Sequence, residues 1–311
     1  MKFVQLCLVA LVALFVLPAG AQPVDAERFV NIAHRGASGL APEHTFAAWD
    51  LALAAGADYI EQDVHLTRDG VLVVLHDDTL DRTARGPAEA CSGPVRSKTY
   101  AQLRTCDVGT WFNERYPQRA RPEYVGLRIP TLAQVFERYG TTTSYYIETK
   151  SPETAAGLAE RELIRLLDVY GLRQPAATDG KVLIQSFSPL SLRLVHALDP
   201  SLPLMQLLAA GAGGARDTLL DNVANYAIGV GPSASGVDGA FVTAAHERCL
   251  VVHPYTVDGE AQLRELIAVG VDGVFTNRPD VLNALLQRDT EQVRPDAARV
   301  AAHATRTCRA G

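Results

Sequence analysis

Short apolar runs alternate with segments of helical periodicity along most of this chain. The runs are rich in Val, Ile, Leu and Tyr, a composition typical of buried β-strands. Eight of them are predicted to be the main strands, at residues 29–34, 59–66, 145–150, 181–187, 202–208, 224–232, 250–257 and 271–277. Helical patterns separate most of these strands, at residues 45–55, 129–140, 152–170, 189–197, 241–248, 258–269 and 279–287.

This alternation predicts a (β/α)8 barrel of the TIM type over residues 29–287. An open doubly wound sheet is the alternative, because it shows the same alternation. An apolar run at 71–76 follows an Arg-Asp-Gly turn signal, so we expect a hairpin arm on the second strand. The pattern breaks down over 78–126, which predicts a loop-rich insertion covering one end of the barrel. Residues 288–311 form a polar tail.

Composition and the first residues narrow the class of protein. The 311 residues are 48% hydrophobic with a formal net charge of −6, which argues against a nucleic-acid-binding surface but leaves room for a small anionic substrate. Residues 1–21 combine a basic start, a short apolar run and an Ala-Gly-Ala ending, which predicts a signal peptide cleaved after Ala21. We therefore expect a periplasmic or secreted chain with no stable membrane span after processing.

Export changes how the cysteines are interpreted. Four remain after the predicted signal peptide, and four cysteines in an oxidising compartment allow three pairings. Cys91 and Cys106 bracket one part of the insertion, so we favour a disulfide between them. A free buried thiol is the alternative for Cys249, which lies in an apolar run. No C-x-x-C motif indicates a zinc site.

Charged and titratable residues gather at the ends of the predicted strands. The active site of a TIM barrel lies at the carboxyl ends of its strands. The candidates there, including the end of the hairpin arm, are His34, Arg35, Glu61, Asp63, His76, Glu148 and Lys150. These side chains are therefore expected to meet at the barrel mouth.

Two pairs of these residues are spaced two apart on a strand. Glu61 and Asp63 therefore share one face of their strand, and so do Glu148 and Lys150. Three converging carboxylates suit a hard divalent cation, Ca²⁺ or Mg²⁺, because without one like charges would force a carboxyl group to protonate. A solvated strand face is the alternative, but the apolar neighbours of Glu61 and Asp63 indicate a buried strand.

The histidines and the arginine suit proton transfer and phosphate binding. His34 and His76 each end an apolar run beside charged residues, and histidine can carry a proton either way near neutral pH. Arg35 can bind a phosphate through two parallel hydrogen bonds. The alternatives are structural histidines and a surface salt bridge.

A series of short motifs resembles the glycerophosphodiester phosphodiesterase family. Each motif is weak alone, but together they follow the family's order through nearly the whole mature chain. They are His34-Arg35-Gly36, APEHT at 41–45, Glu61-x-Asp63, His76-Asp77, IPTL at 129–132, IETK at 147–150, QSF at 185–187 and GVDGVFTNRPD at 270–280. The predicted export signal and the insertion are similar to the family's periplasmic branch.

The resemblance implies metal-dependent hydrolysis of a small glycerophosphodiester to sn-glycerol 3-phosphate and an alcohol. By position, the implied metal ligands are Glu61, Asp63 and Glu148, the catalytic histidines are His34 and His76, and the phosphate-binding cations are Arg35 and Lys150. Two departures stand out. His44 replaces an asparagine of the family motif, and Tyr255 stands where the family often has tryptophan.

Two rival functions and one mechanistic choice stay open at this point. A phospholipase C-like or D-like barrel acting on intact phospholipids would need an apolar rim, for which Trp111, Phe112 and Tyr116 are the candidates. A non-catalytic phosphodiester-binding protein would retain its ligand without turnover. The nucleophile is either the neighbouring glycerol hydroxyl, which gives a cyclic intermediate, or water.

Overall fold

The computed structural model describes residues 29–150, 157–210 and 216–288. The predicted signal peptide and all but the first residue of the predicted tail lie outside this part of the chain. The strands of the described part are β1 (Val30–Ala33), β2 (Tyr59–Leu66), β3 (Leu72–Val74), β4 (Tyr145–Thr149), β5 (Val182–Ser186), β6 (Leu204–Leu208), β7 (Gly229–Pro232), β8 (Val251–Val252) and β9 (Gly273–Thr276).

The strands form a parallel barrel. Their order is β8-β7-β6-β5-β4-β2-β1-β9, and every neighbouring pair in this order is parallel. Backbone hydrogen bonds then bring β9 and the β8 segment together, from Asp272 N to Val252 O (3.0 Å) and from Phe275 N to Pro254 O (2.9 Å). The (β/α)8 barrel predicted from sequence is confirmed. The open doubly wound sheet is wrong, because an open sheet has two free edges.

The hairpin arm is also confirmed. β3 pairs antiparallel with the end of β2, with Leu72 opposite Leu66 and Val74 opposite Val64. This arm extends the second strand beyond the barrel and carries the chain outward into the insertion.

Helices follow most of the strands and cover the outside of the barrel. Those of the described residues are α1 (Phe46–Ala54), α2 (Ala88–Cys91), α3 (Tyr100–Leu103), α4 (Thr110–Arg115), α5 (Leu132–Tyr139), α6 (Leu158–Val169), α7 (Arg173–Asp179), α8 (Pro189–Leu198), α9 (Arg216–Val223), α10 (Gly239–His246), α11 (Glu260–Ala268) and α12 (Pro279–Leu285). Neither α7 nor α9 was predicted, because each buries too few apolar residues to show a helical stripe.

The alternation of side chains along each strand builds two separate apolar cores. Outward-facing residues such as Ile60, Val64 and Ile147 pack beneath the helices. Inward-facing residues fill the barrel in a smaller cluster that includes Ile32 and Tyr59. Burial on both faces explains why these strands are almost continuously apolar in the sequence.

The insertion is a small folded unit and not a loose loop. Short helices α2 and α3 pack on a core that includes Leu80, Val95 and Leu103. Cys91 and Cys106 are joined by a disulfide within this core, the pairing favoured from sequence. Cys249 is also disulfide-bonded, so a free thiol there is wrong.

A second small cluster attaches the insertion to the barrel. Trp111 and Phe112 of α4 are buried with Tyr124 against Ala48 of α1. These aromatic side chains therefore belong mainly to a core, which weakens the case for an apolar rim that admits acyl chains. Among the helices of the described residues, none is long and apolar enough to cross a membrane.

Candidate active site

The inward face of the strands changes from apolar to charged near their carboxyl ends. Along β2, Tyr59 lies in the interior apolar cluster, and Glu61 and Asp63 continue the same face. On and just beyond β4, Glu148 and Lys150 repeat the arrangement. The alternation of each strand thus delivers buried carboxylates to the barrel mouth, where the sequence predicted them.

The carboxylates of neighbouring strands face one another around a lysine. Asp63 and Glu148 are aligned across β2 and β4. Lys150 Nζ lies 3.1 Å from Glu148 Oε1 and 3.7 Å from Asp63 Oδ1. One ammonium group therefore serves two carboxylates, and a third, Glu61, shares the pocket.

Negative charge in this cluster exceeds the positive charge that faces it. Burial raises the pKa of Glu61 well above its usual range, and the charges of Asp63 and Glu148 raise it further. Burial and the charge of Asp63 likewise raise the pKa of Glu148. For Asp63, burial acts in the same upward direction, but Lys150 and His44 prevail and lower its pKa.

The donor set of this cluster fits a hard divalent cation. Such a cation prefers several oxygen ligands and would relieve the repulsion between the carboxylates. In addition, Asp63 Oδ1 is buried and accepts no hydrogen bond among the described residues. The ligand set predicted from sequence, Glu61, Asp63 and Glu148, stays a prediction.

His44 joins the acidic cluster, in a role that sequence analysis did not assign. Its Nε2 lies 2.7 Å from Asp63 Oδ2, and both side chains are buried. His44, Glu61 and Asp63 each offer one ligand atom within 4.8 Å of the others. This tight group differs from the predicted set by containing His44 in place of Glu148. The sequence signal was the histidine at the asparagine position of the family motif.

The loop after β1 presents Arg35 in an unusual backbone conformation. Arg35 and His44 have φ values of 59° and 55°, a region that non-glycine residues enter rarely and at a cost. Two hydrogen bonds offset this cost, from Arg35 N to Glu61 Oε2 (2.6 Å) and from His44 N to Arg35 O (3.0 Å). Gly36 follows, where a Cβ would lie 2.7 Å from the backbone of Ala48. The loop is therefore seated tightly on α1.

His34 is held in one orientation by the residue that directly follows the last strand of the barrel. Its Nδ1 lies 2.8 Å from Asn277 Oδ1, and Asn277 Nδ2 donates to Asp258 Oδ2 at 2.7 Å. Since Asp258 takes the amide donor, Asn277 presents its oxygen to His34, and Nδ1 must carry the proton. Burial and the charge of Arg35 lower the pKa of His34 to about 3. The imidazole is therefore neutral, with an unprotonated Nε2.

His76 is oriented by a chain of charged groups that crosses to the first loop. Its Nδ1 donates to Asp77 Oδ1 at 2.6 Å, and Arg82 donates to Asp77 and to both oxygens of Glu43. Burial raises the pKa of Glu43, but hydrogen bonds from Arg82 and the charge of Arg35 prevail and lower it to about 2. Glu43 in turn accepts a bond from Arg35 at 3.2 Å.

These partners of the histidines were not identified from the sequence. Asn277 ends the last strand inside a motif of the family series, which was a usable signal. Arg82 lies in the insertion, where no periodicity distinguishes it from the other arginines.

Cleavage of a phosphodiester requires positive charge around the phosphate, a base for the nucleophile and an acid for the leaving group. This barrel mouth brings cationic side chains and two histidines together, a set of groups that fits a phosphoric diester hydrolase of the TIM-barrel class. The sequence model of the glycerophosphoryl diester phosphodiesterase family matches residues 34–281. The chain therefore belongs to that family.

Individual relatives agree over most of the chain. It is 43% identical over 288 residues to a glycerophosphodiester phosphodiesterase of Bacillus subtilis (strain 168). The matched region covers 88% of this chain and 96% of the relative. An enzyme of the same description from Caldanaerobacter subterraneus subsp. tengcongensis is 34% identical over 258 residues, covering 83% and 97%.

Solved structures also share the fold. A phosphodiesterase of Oleispira antarctica in complex with the product sn-glycerol-3-phosphate superposes with a TM-score of 0.70 at 26% identity, covering 83% of this chain and 97% of that one. The glycerophosphodiester phosphodiesterase of Agrobacterium tumefaciens str. C58 superposes with a TM-score of 0.65 at 30% identity, covering 82% and 99%.

Proposed function

We propose that this protein hydrolyses glycerophosphodiesters to sn-glycerol 3-phosphate and an alcohol in a reaction that depends on a divalent cation. The product named for the Oleispira antarctica structure supports glycerol phosphate as the shared part of the substrate. The buried acidic cluster supports a cation such as Ca²⁺ or Mg²⁺. The alcohol part of the substrate would lie toward the insertion.

His34 is proposed to be the base that accepts the proton of the nucleophile. The hydrogen bond to Asn277 holds the proton on Nδ1, so Nε2 is free to accept another. The contact between His34 Nδ1 and Asn277 Oδ1 is the observation that carries the proposal, because a base must be unprotonated and aimed before it reacts. His34 could accept the proton of either nucleophile, the glycerol hydroxyl or water.

His76 is proposed to be the acid that protonates the leaving alkoxide. Asp77 accepts the hydrogen bond from Nδ1, so Nε2 is the nitrogen that would donate a proton to the leaving oxygen. The side chain is 31% exposed at the barrel mouth, so a leaving alcohol could reach it. Arg82 and Glu43 keep Asp77 in place.

Arg35 and Lys150 are proposed to hold the phosphate. The Nε of Arg35 is buried, makes no hydrogen bond among the described residues and lies 3.8 Å from Asp63 Oδ2, so the guanidinium group lies beside the acidic cluster where a phosphate would bind. Lys150 faces the same cluster from β4. A bound divalent cation would supply further positive charge against the phosphate and stabilise charge that develops at phosphorus.

The proposal is tested by assaying the purified mature chain with glycerophosphocholine. We expect release of sn-glycerol 3-phosphate that stops with a chelator and returns with added Ca²⁺ or Mg²⁺. His34→Ala and His76→Ala should each lower kcat by about 10²–10⁴-fold, the range of general acid–base catalysis. His196→Ala, on α8, is the matched control and should retain normal turnover.

Each result has a counterpart that would contradict one part of the proposal. Normal turnover by the His34 or His76 variant would remove that histidine from the mechanism. Full activity in metal-stripped protein would exclude the cation. Diacylglycerol or phosphatidic acid released from intact lipid as the major product would favour the phospholipase function. Tight retention of substrate without turnover would favour the binding protein.

We also propose that the protein is exported after cleavage at Ala21. The disulfide between Cys91 and Cys106 supports this, because such bonds persist in oxidising compartments. Mass spectrometry of the protein from the periplasm or medium should find an N-terminus at Gln22. Recovery of the full-length chain from the cytoplasm alone would contradict export.

A further inference from the structure

A cavity of about 810 Å³ lies between the barrel mouth and the insertion. His34, Arg35 and Asn277 line it from the barrel, and Arg82 and Trp111 line it from the insertion. Its volume falls in the upper range for ligand pockets, which is more than one phosphate and a glycerol need. The remaining space is available to the alcohol part of the substrate.

Positive charge dominates the wall of this cavity. Six arginines and three carboxylates line it, in a protein whose formal net charge is −6. Most of the arginines have a carboxylate partner at short distance. These pairs are Arg35–Glu43, Arg82–Glu43, Arg85–Glu114 and Arg278–Asp280.

Arg115 and Arg119 differ from these four arginines in their surroundings. Within the described ranges, neither comes within the 4.0 Å of a carboxylate oxygen that defines the ion pairs above. Both guanidinium groups lie over the ring of Tyr116, at 5.7 and 5.9 Å from its centroid. Arg119 also donates a hydrogen bond to Gly39 O, in the loop that follows Arg35.

Both guanidinium groups line the cavity beside the same ring, and no close ion pair with a carboxylate of the described residues neutralises their positive charge. Guanidinium groups are well suited to bind a phosphate, because each offers two parallel donors. The bond to Gly39 holds Arg119 beside the first loop, and the Tyr116 ring, 37% exposed, leaves the pair open to the cavity. The pair is therefore a positively charged feature of the cavity that the reaction itself does not use.

We propose that Arg115 and Arg119 form a second anion subsite, which binds a phosphate carried by the alcohol part of the diester. The preferred substrates are then glycerophosphodiesters whose alcohol bears a further negative charge. This rests on the proposed function, in which the reacting phosphate lies at Arg35. A cationic alcohol such as choline is disfavoured by the same pair.

Three substrates of different alcohol charge test the subsite. They are glycerophosphoglycerol, the same compound with a phosphate on its second glycerol, and glycerophosphocholine. The wild-type protein should show a kcat/KM about tenfold higher for the phosphorylated compound than for glycerophosphoglycerol at low salt, because charge-assisted hydrogen bonds add to binding. This preference should shrink as ionic strength rises.

The informative variant is Arg115→Gln/Arg119→Gln. It should lose the preference for the phosphorylated substrate, change glycerophosphoglycerol by less than about twofold, and improve glycerophosphocholine. A misfolded variant would lose activity on all three substrates together. Higher activity on glycerophosphocholine would therefore indicate loss of the subsite and not misfolding. Arg115→Gln alone keeps the bond to Gly39 and should show part of the effect. Arg104→Gln, an exposed arginine of the insertion outside the cavity, is the control.

Binding is measured in parallel by titration calorimetry on chelator-treated protein. A phosphate-dependent affinity that the double variant loses supports the subsite, even if the protein turns over none of the three compounds and the proposed function fails. The subsite would be overturned if the double variant showed the same relative kcat/KM values and the same relative affinities for the three substrates as the wild-type protein. The proposed function would then remain intact.

Discussion

The disulfide of the insertion should contribute measurably to stability and to substrate binding. Cys91 and Cys106 are buried in the insertion core, and the same cluster includes Val73 of the hairpin arm and Ile129 before α5. Because that core is continuous with elements of the barrel, we expect the insertion and barrel to unfold together. The perturbation is the double variant Cys91→Ala/Cys106→Ala.

The magnitude follows from the length of the closed loop. The two cysteines are separated by 15 residues, and a loop of this length restricts the unfolded chain by about 3 kcal/mol. Small voids left by the buried sulfur atoms could add about 1 kcal/mol. For a domain of this size, the loss of about 3 kcal/mol lowers Tm by about 6–12 °C.

Urea unfolding followed by circular dichroism measures this loss. The double variant should unfold at a lower urea midpoint with the same slope, and its KM for the phosphorylated substrate should rise because Arg115 and Arg119 lie in the insertion. Cys249→Ala, which removes the disulfide bond of Cys249, serves as the comparison. Its shift of the midpoint should add to that of the Cys91→Ala/Cys106→Ala variant. An unchanged midpoint and slope in the double variant would refute the reasoning.

Three further predictions concern individual side chains. Asn277→Ala should lower kcat by about 10–100-fold with little change in KM, because His34 loses the partner that fixes its tautomer; an unchanged kcat would remove Asn277 from the positioning role. Lys150→Met should raise KM and weaken the folded state in the absence of metal, and a more stable variant would contradict the repulsion argument. Asp272 raises the pKa of His246, so this bond stabilises the fold fully below the unfolded pKa and is lost as pH rises through the folded pKa. His246→Gln should therefore lower the free energy of unfolding more at about pH 5.5 than at about pH 8.5, with a difference of less than about 1 kcal/mol because the pair is partly exposed. Thermal unfolding at the two pH values measures this, and an equal fall in Tm at both would contradict the prediction.

Much of the barrel could be predicted because burial on both faces leaves a strong signal in a strand. The second strand was predicted at 59–66 and is found at Tyr59–Leu66. Side-chain alternation then decides that Glu61 and Asp63 share a face, whatever the rest of the fold does. The short helices of the insertion were missed because four to six residues are too few to show a period.

The sequence by itself therefore determined the alternation of strands and helices and which polar side chains share a face of a strand, since these depend on local periodicity. Barrel closure, which excludes the open sheet, was decided by the tertiary structure. Only the tertiary structure decided which distant residues form hydrogen bonds with the side chains of the site. His34 meets Asn277 across 243 residues, and Arg82 reaches Glu43 across 39. Periodicity reports whether a side chain is buried, but not which distant group it touches. Those contacts depend on barrel closure and on where the insertion docks, and they select the tautomer of His34 and the charges that line the cavity.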